Sequence, residues 1–323
     1  MSNSNQLEMM ERIALDLEGV ERALASSFNT GSEDFNTLIR PLSEAGGKRL
    51  RAQLCLLIAN AGQSVEEERI KIAEAVEMLH LATLIHDDVL DQAEIRRGEE
   101  TIHKHKGNKV AILSGDYLFA KAFRIVSEMP HMEYLKIFSH IITCLVEGEF
   151  MQMEDVYRID QGIDRYMTKT QKKTADFMEG CMELGGLLGG WSSDEIMYLK
   201  RYGHALGMAF QITDDIMDYR ETSDTTGKPV GNDLREGLLT YPLLSIVNES
   251  NQNQLLQDIK NLNHGGNEQE IIDYVIAQGG IDNTLRVAQQ YCDDALSALQ
   301  SIRDFDGKEF LVLAVQNLAD RKV

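Results

Sequence analysis

Two short acidic runs carry the most distinctive chemistry in this chain. His86-Asp87-Asp88-Val89-Leu90-Asp91 and Asp214-Asp215-Ile216-Met217-Asp218 each place carboxylates at i, i+1 and i+4. On a helix the first and last of these lie on one face, a turn apart, and repel each other. Leu79 to Ile85 precedes the first run and Ala209-Phe210-Gln211-Ile212 the second, so both open onto apolar surface rather than a charged exterior. Two matching runs in such surroundings imply a cation that neutralises them. Oxygen-only clusters suit Mg2+, which takes one or two carboxylates and fills its shell with water and substrate phosphates. Facing one another across a helical bundle, the runs would hold metal ions over a shared diphosphate.

A bound diphosphate also needs basic partners. Lys48, Arg49 and Arg51 follow Gly46-Gly47; Arg96 and Arg97 precede Gly98; Lys172 and Lys173 precede Thr174; Lys228 follows Gly227. Single lysines and arginines in an acidic chain are ordinarily solvated surface charge. These sit beside glycines or at helix starts, where backbone and helix N-termini approach phosphate. Spacing alone reaches Mg2+-dependent diphosphate chemistry in a helical cavity, and stops there.

The elements that must position these groups read as helices. Apolar positions recur at helical spacing over residues 1–29, Lys48 to Ala61 and Val65 to Leu90, the last with Ser64 and Glu67 as a capping box. The first acidic run thus ends a helix, where three aspartates oppose the macrodipole unless a cation binds. Further helices are expected from Val110 to Glu128, His131 to Tyr157 and Asp164 to Leu188. Close helix approach or a bend is expected at Gly185-Gly186 and Gly189-Gly190. A helix capped by Ser193 then runs from Asp194 to Tyr219 and bears the second run; a Gly/Thr/Pro loop spans Glu221 to Asp233, and four or five shorter helices complete the chain. No segment alternates as a strand. The expectation is an all-α chain, one domain over residues 1–323.

Composition narrows the functional classes. A formal charge of −20 over 323 residues argues against nucleic-acid binding, which wants a basic stripe. Apolar stretches are broken by charge well short of the ~18–20 residues that span a bilayer. Met1 to Leu17 lacks the apolar core of a signal peptide. Cys55, Cys144, Cys181 and Cys292 show no CxxC or Cys/His ligand spacing, so neither zinc nor a disulfide framework is expected. The chain reads as cytoplasmic.

The motifs taken together resemble the trans-polyprenyl diphosphate synthases. The matching pieces are Gly46-Gly47-Lys48-Arg49-Leu50-Arg51, Glu77-Met78-Leu79-His80, His86-Asp87-Asp88-Val89-Leu90-Asp91 and Arg96-Arg97-Gly98. Gly115-Asp116-Tyr117, Lys173-Thr174-Ala175, Gln211-Ile212-Thr213-Asp214-Asp215 and Gly227-Lys228-Pro229 continue them in the family's order. The resemblance implies the isoprenoid synthase fold, a single large helical bundle around a central cavity. It also implies head-to-tail condensation of isopentenyl diphosphate with an allylic diphosphate, geranyl or farnesyl.

By the same resemblance, about three Mg2+ ions serve each site. Asp87 and Asp91, with Asp88, bind those bridging the allylic diphosphate; Asp214 binds from the other side, supported by Asp215 and Asp218. Arg96, Lys173 and Lys228 stabilise the leaving diphosphate, and Thr174 and Gln211 flank the reacting carbons. Lys48, Arg51, His80 and Arg97 hold isopentenyl diphosphate, and the released diphosphate removes the proton. His103 and His105 are assigned to a loop, and His86 no closer than a supporting position. The resemblance further implies a homodimer, or a heterodimer with a small regulatory subunit, and a long product for a quinone side chain.

Product length is argued from Ala82 and Thr83. Position 82 lies five residues before Asp87, roughly 7.5 Å deeper at a rise of 1.5 Å per residue, where short-chain members carry an aromatic. A small pair there predicts an open tunnel and a product of about C30 to C40. Met78, Phe119, Phe123, Phe150 or Met151 would form its floor. Glu100 departs from the family's proline before Thr101, which would loosen the loop after Arg97. The rival readings are a shorter-chain synthase of about C15 to C20, a class I terpene cyclase, a catalytic subunit inactive without its partner, and a non-catalytic partner subunit that regulates or completes a synthase. The intact second run and Lys48/Arg51 speak against the cyclase.

Overall fold

The computed structural model describes residues 3–28, 36–39, 49–96, 98–220 and 231–319. Helices dominate, as the spacing of apolar residues requires. In chain order they are α1 (Asn3–Ser27), α2 (Leu50–Asn60), α3 (Glu66–Leu90), α4 (Ile102–Lys106), α5 (Asn108–Ser127), α6 (Met132–Glu154) and α7 (Gly162–Thr170). A π-helical turn, Gln171–Ala175, leads into α8 (Asp176–Leu188) and α9 (Ser193–Arg220). Shorter helices follow: α10 (Asn232–Glu236), α11 (Tyr241–Leu244), α12 (Gln252–Asn261), α13 (Glu268–Ala277), α14 (Gly280–Gln300) and α15 (Lys308–Ala319).

The chain divides into two units. The first comprises Met1–Ser139, Gly180–Met197 and Asp304–Gly307. Its centre is α2, buried on nearly every side from Leu54 to Asn60, as a helix apolar all round must be. α1 and α3 pack on it. Asp16 of α1 is buried and accepts from Asn60 Nδ2 at 2.7 Å and Arg69 Nε at 2.9 Å, so one carboxylate ties α1 to both neighbours. The glycines near residue 187 act as expected. A Cβ at Gly185 would lie 2.6 Å from the Cys55 carbonyl oxygen, and the Gly189 carbonyl oxygen sits 2.0 Å from where a Gly62 Cβ would be. Only residues without side chains allow these approaches.

The second unit comprises His140–Glu179, Tyr198–Arg303 and Lys308–Val323. Its core gathers Tyr166, Ala175, Met208, Ile212, Ile216 and Tyr219 with apolar residues of α11 to α14. A Cβ at Gly207 would lie 2.6 Å from Ala175 Cα, so α9 crosses the π turn at backbone contact.

Four local expectations are corrected. The helix expected from Asp164 to Leu188 is broken by the π turn, which inserts one residue into the ladder and carries Lys173 and Thr174. The Ser64/Glu67 capping box does not form: Ser64 Oγ donates to Ala59 O at 2.6 Å, Glu67 pairs with Lys71, and Val65 is the cap. The box forms instead at Ser192, one residue before the expected cap, with Glu195 N donating to Ser192 Oγ and Ser192 N to Glu195 Oε2. The segment after the first run is not a plain loop. β1 (Ile95–Arg96) pairs antiparallel with β2 (Glu99–Glu100), and His103 lies in α4 with Nε2 donating to Ala93 O at 2.7 Å. Glu100 pairs with Ile95 in that hairpin.

Candidate active site

In the first unit, α3 delivers Asp87 and Asp88 at its C-terminal end, with Asp91 as its cap. Asp91 N donates to Asp87 O and Ala93 N to Asp88 O, so the helix closes around the run's own carbonyls. Asp88 is buried and accepts from Arg96 Nε at 2.5 Å. The hairpin that presents Arg96 is anchored by Thr101, whose Oγ1 donates to Ala93 O at 2.7 Å. No basic residue occupies the last turn of α3. The macrodipole and the carboxylates therefore add to one negative end.

His86 locks this end laterally. Its Nε2 donates to Ile112 O of α5 at 3.1 Å, and its ring meets Phe119 at 5.5 Å. A Cβ at Gly115 would lie 2.1 Å from His86 Nε2. This gives the Gly115-Asp116-Tyr117 motif a physical reason: α5 must be bare where His86 docks.

Two turns upstream, His80 Nε2 and Arg51 Nη1 approach to 3.5 Å. Burial lowers the Arg51 guanidinium, opposed by Cys181 and Glu77. Beneath them, Arg49 adopts a left-handed φ of 45° at the start of α2. Its Nε donates to Glu21 Oε1 at 2.8 Å and its Nη1 to Glu77 Oε2 at 3.2 Å. Glu77 Oε1 also accepts from Ala52 N at 3.2 Å. Burial raises the Glu77 carboxyl despite Arg49 and these hydrogen bonds. Glu21, Arg49 and Glu77 thus fix the backbone turn from which Arg51 projects.

In the second unit, α9 carries Gln211, Asp214, Asp215 and Asp218. Thr174 Oγ1 donates to Gln211 Oε1 at 2.9 Å, and Gln211 Nε2 to Asp215 Oδ1 at 2.9 Å. The Tyr166 hydroxyl donates to the other Asp215 oxygen. Burial pushes the Asp215 carboxyl up to about 7, against these hydrogen bonds, and holds the Tyr166 phenol well above its ordinary value. Asp218 accepts from Asn232 N at 3.0 Å and Asp233 N at 3.1 Å, capping α10. Lys173 pairs with Glu149 at 2.6 Å, and Lys172 with Glu147 at 2.5 Å.

Lys48, Arg97 and Lys228 lie outside the described residues. Ala82 is fully buried and Thr83 half-buried, with Thr83 Oγ1 donating to His80 O at 2.8 Å. Among the named floor residues Met78 is buried and Phe150 is 62% exposed. Glu21, Glu77, Glu149 and Tyr166 escaped the sequence reading as supporting groups, because each acts through a contact distant in the chain.

The fit of the acidic runs to Mg2+ rests on their donor set. Among the described residues, no three carboxylates of either run bring oxygens within 4.8 Å of one another. A caged all-protein site is thus not formed. The arrangement suits an ion that takes one or two carboxylates and completes its shell from water and phosphate.

The family model for Polyprenyl synthetase matches residues 32–278. Octaprenyl diphosphate synthase of Escherichia coli K12 is 32% identical over 312 residues, covering 95% of this chain and 96% of the relative. Heptaprenyl diphosphate synthase component 2 of Geobacillus stearothermophilus is 32% identical over 287 residues, covering 89% and 90%. A crystal structure of polyprenyl synthase from Caulobacter crescentus CB15, complexed with calcium and isoprenyl diphosphate, superposes with a TM-score of 0.89 at 30% identity, covering 100% of this chain and 98% of that one.

Proposed function

This chain belongs to the polyprenyl synthetase family, has its isoprenoid synthase fold and is a trans-prenyltransferase; on that premise we propose that it elongates geranyl or farnesyl diphosphate with isopentenyl diphosphate to a product of about C30 to C40. The product length rests on the small pair Ala82 and Thr83 on α3, upstream of Asp87, where added bulk would stand in the way of a growing chain; Ala82 itself is packed on all sides in this structure. The octaprenyl and heptaprenyl names of two relatives support the same reading.

Residue roles follow the chemistry of ionising an allylic carbon–oxygen bond. Negative charge grows on the leaving diphosphate, so preplaced positive groups stabilise the transition state more than the ground state. Asp87, Asp91 and Asp214 would hold Mg2+, which when bound supplies Lewis-acid stabilisation of that diphosphate. Arg96, Lys173 and Lys228 add fixed positive charge. Asp88 orients Arg96, a role supported by their hydrogen bond. Thr174 and Gln211 present oxygen dipoles toward the developing carbocation. Tyr166 and Asp215 hold the Gln211 amide in one orientation, and Asp218 braces α10. Lys48, Arg51, His80 and Arg97 bind isopentenyl diphosphate.

We also assign the whole chain to one synthase domain, working as a cytoplasmic homodimer that makes a quinone side-chain precursor. Exposed Ile112 and Leu113 on α5, and separately exposed Val146, Phe150 and Met153 on α6, support a partner-covered surface. Among the described residues no helix is long and apolar enough to cross a membrane.

The test is the purified chain with Mg2+, farnesyl diphosphate and labelled isopentenyl diphosphate, with products sized by chromatography. Products of about C30 to C40 support the reading, and a stop at about C20 overturns the length assignment. Absence of product from folded protein favours a subunit that needs a partner, as the name component 2 suggests for one relative.

A further inference from the structure

Away from the acidic runs, the second unit gathers one cluster with nitrogen, sulfur and oxygen donors together. His140 and Cys144 stand one turn apart on α6, Asp176 and Glu179 open α8, and His204 projects from α9. His140, Cys144 and Asp176 bring donor atoms within 4.8 Å of one another, and so do Asp176, Glu179 and His204. Asp176 belongs to both trios.

The spacing fits tetrahedral coordination. With metal–nitrogen and metal–sulfur bonds of about 2.0–2.3 Å, neighbouring ligands on one ion stand about 3.3–3.8 Å apart. Cys144 Sγ is 3.7 Å from His140 Nε2 and 3.8 Å from its Nδ1, so the exposed imidazole must turn to aim one nitrogen at a shared ion, and His204 Nδ1 is 3.5 Å from Glu179 Oε2. Cys144 and Asp176 are buried while His140 is exposed, so the cluster has a protected floor and an entry side. Gln171 Nε2 donates to Asp176 Oδ1 at 3.2 Å, and Lys200 approaches Glu179 Oε1 rather than the oxygen that meets His204. A thiol beside an imidazole is a poor ligand set for Mg2+ and a good one for zinc-like ions.

We propose that His140, Cys144 and Asp176 form a binding site for a divalent cation of the zinc class, with Glu179 and His204 completing it around Asp176 and no aspartate of the two acidic runs taking part. The bound ion staples α6 to the first turn of α8. That turn follows directly on the π turn bearing Lys173 and Thr174, so occupancy reaches the active-site residues through Asp176.

The experiment uses the full chain with Co2+ as a spectroscopic stand-in, in excess Mg2+ so that hard carboxylate sites are already filled. A near-ultraviolet thiolate-to-cobalt charge-transfer band is expected at one equivalent and is discharged by Zn2+. Cys144→Ser abolishes the band. His140→Ala, at an exposed position that does not threaten folding, weakens Co2+ binding about 10-fold or more. Absence of the band in folded wild-type protein overturns the site. So does a band that persists in Cys144→Ser, or one whose Co2+ affinity His140→Ala leaves unchanged.

Discussion

Arg96 Nε donates to Asp88 Oδ1 across 2.5 Å, so the middle carboxylate of the first acidic run is engaged by the hairpin that follows it. Asp87 and Asp91 lie one turn apart, while Asp88 points about 100° away from Asp87 and is buried. The three aspartates should therefore fail differently. Asp87→Asn and Asp91→Asn are each expected to lower turnover on the order of 100-fold or more, because on the proposed reading each removes a carboxylate that would hold Mg2+ against the diphosphate. Asp88→Asn should cost about 10-fold, through a misplaced Arg96. Initial rates with labelled isopentenyl diphosphate distinguish them; equal losses at all three positions would sink the division of roles.

Glu77 joins α3 to α2 by accepting from both Arg49 and Ala52 N. Glu77→Ala leaves a buried guanidinium with one carboxylate partner fewer and a buried amide without its acceptor. The expected loss is about 3–5 kcal/mol of unfolding free energy. Denaturant titration checks it, and a loss below about 1 kcal/mol would show the pair to be dispensable.

The helices were legible because apolar spacing is local information, and the acidic runs because i, i+4 carboxylates have little reason to exist in apolar helices without a cation. The π turn was not legible. It packs at Ala175 against Gly207, on a helix more than thirty residues later, a contact that no local spacing reveals. Contacts between helices distant in the chain were equally hidden: His140 and Cys144 are one turn apart in the sequence, but Asp176 joins them only when α6 and α8 pack. Tyr166 likewise reaches Asp215 through the fold alone.

Gly115→Ala tests the docking of His86. The added Cβ would sit 2.1 Å from His86 Nε2 and must push the ring off Ile112 O. A loss of about 1–3 kcal/mol is expected, with reduced activity because Asp87 follows directly. In the background His86→Ala the same change should be nearly neutral, since the clash is gone. A double-mutant cycle measured by thermal unfolding gives the coupling, and additive effects would contradict it.

Glu74 makes a prediction about pH. It is buried on α3 and accepts from Ser27 Oγ at 2.7 Å. Burial raises its carboxyl above the ordinary value, outweighing the Ser27 hydrogen bond. A carboxyl raised on folding keeps its proton longer in the folded state than in the unfolded chain. Its contribution is therefore most favourable at acid pH and declines as pH rises from the ordinary carboxylate range through the folded value. Glu74→Gln retains an acceptor for Ser27 and removes that decline. Relative to wild type the variant should gain stability progressively as pH rises above the ordinary carboxylate range. Denaturation midpoints across that rise in pH test it; a variant that loses ground as pH rises would reverse the sign.

Ala82→Phe addresses product length directly. Ala82 is fully buried on α3, and Met78 lies one further turn from the acidic run. A growing chain that runs down this face meets position 82 roughly 7.5 Å below Asp87, about the depth of a few isoprene-unit bonds. A phenyl ring there adds bulk that an alanine-sized space accommodates only by occupying the tunnel or straining the core, at about 1–3 kcal/mol. The expected product shifts from about C30–C40 to about C15–C20, while the first condensation on a short primer keeps its rate within about 10-fold. Circular dichroism and thermal unfolding show whether the variant is folded. Chromatographic sizing of the products then decides: a folded, active Ala82→Phe enzyme that still makes the long product would move the length determinant off this face of α3.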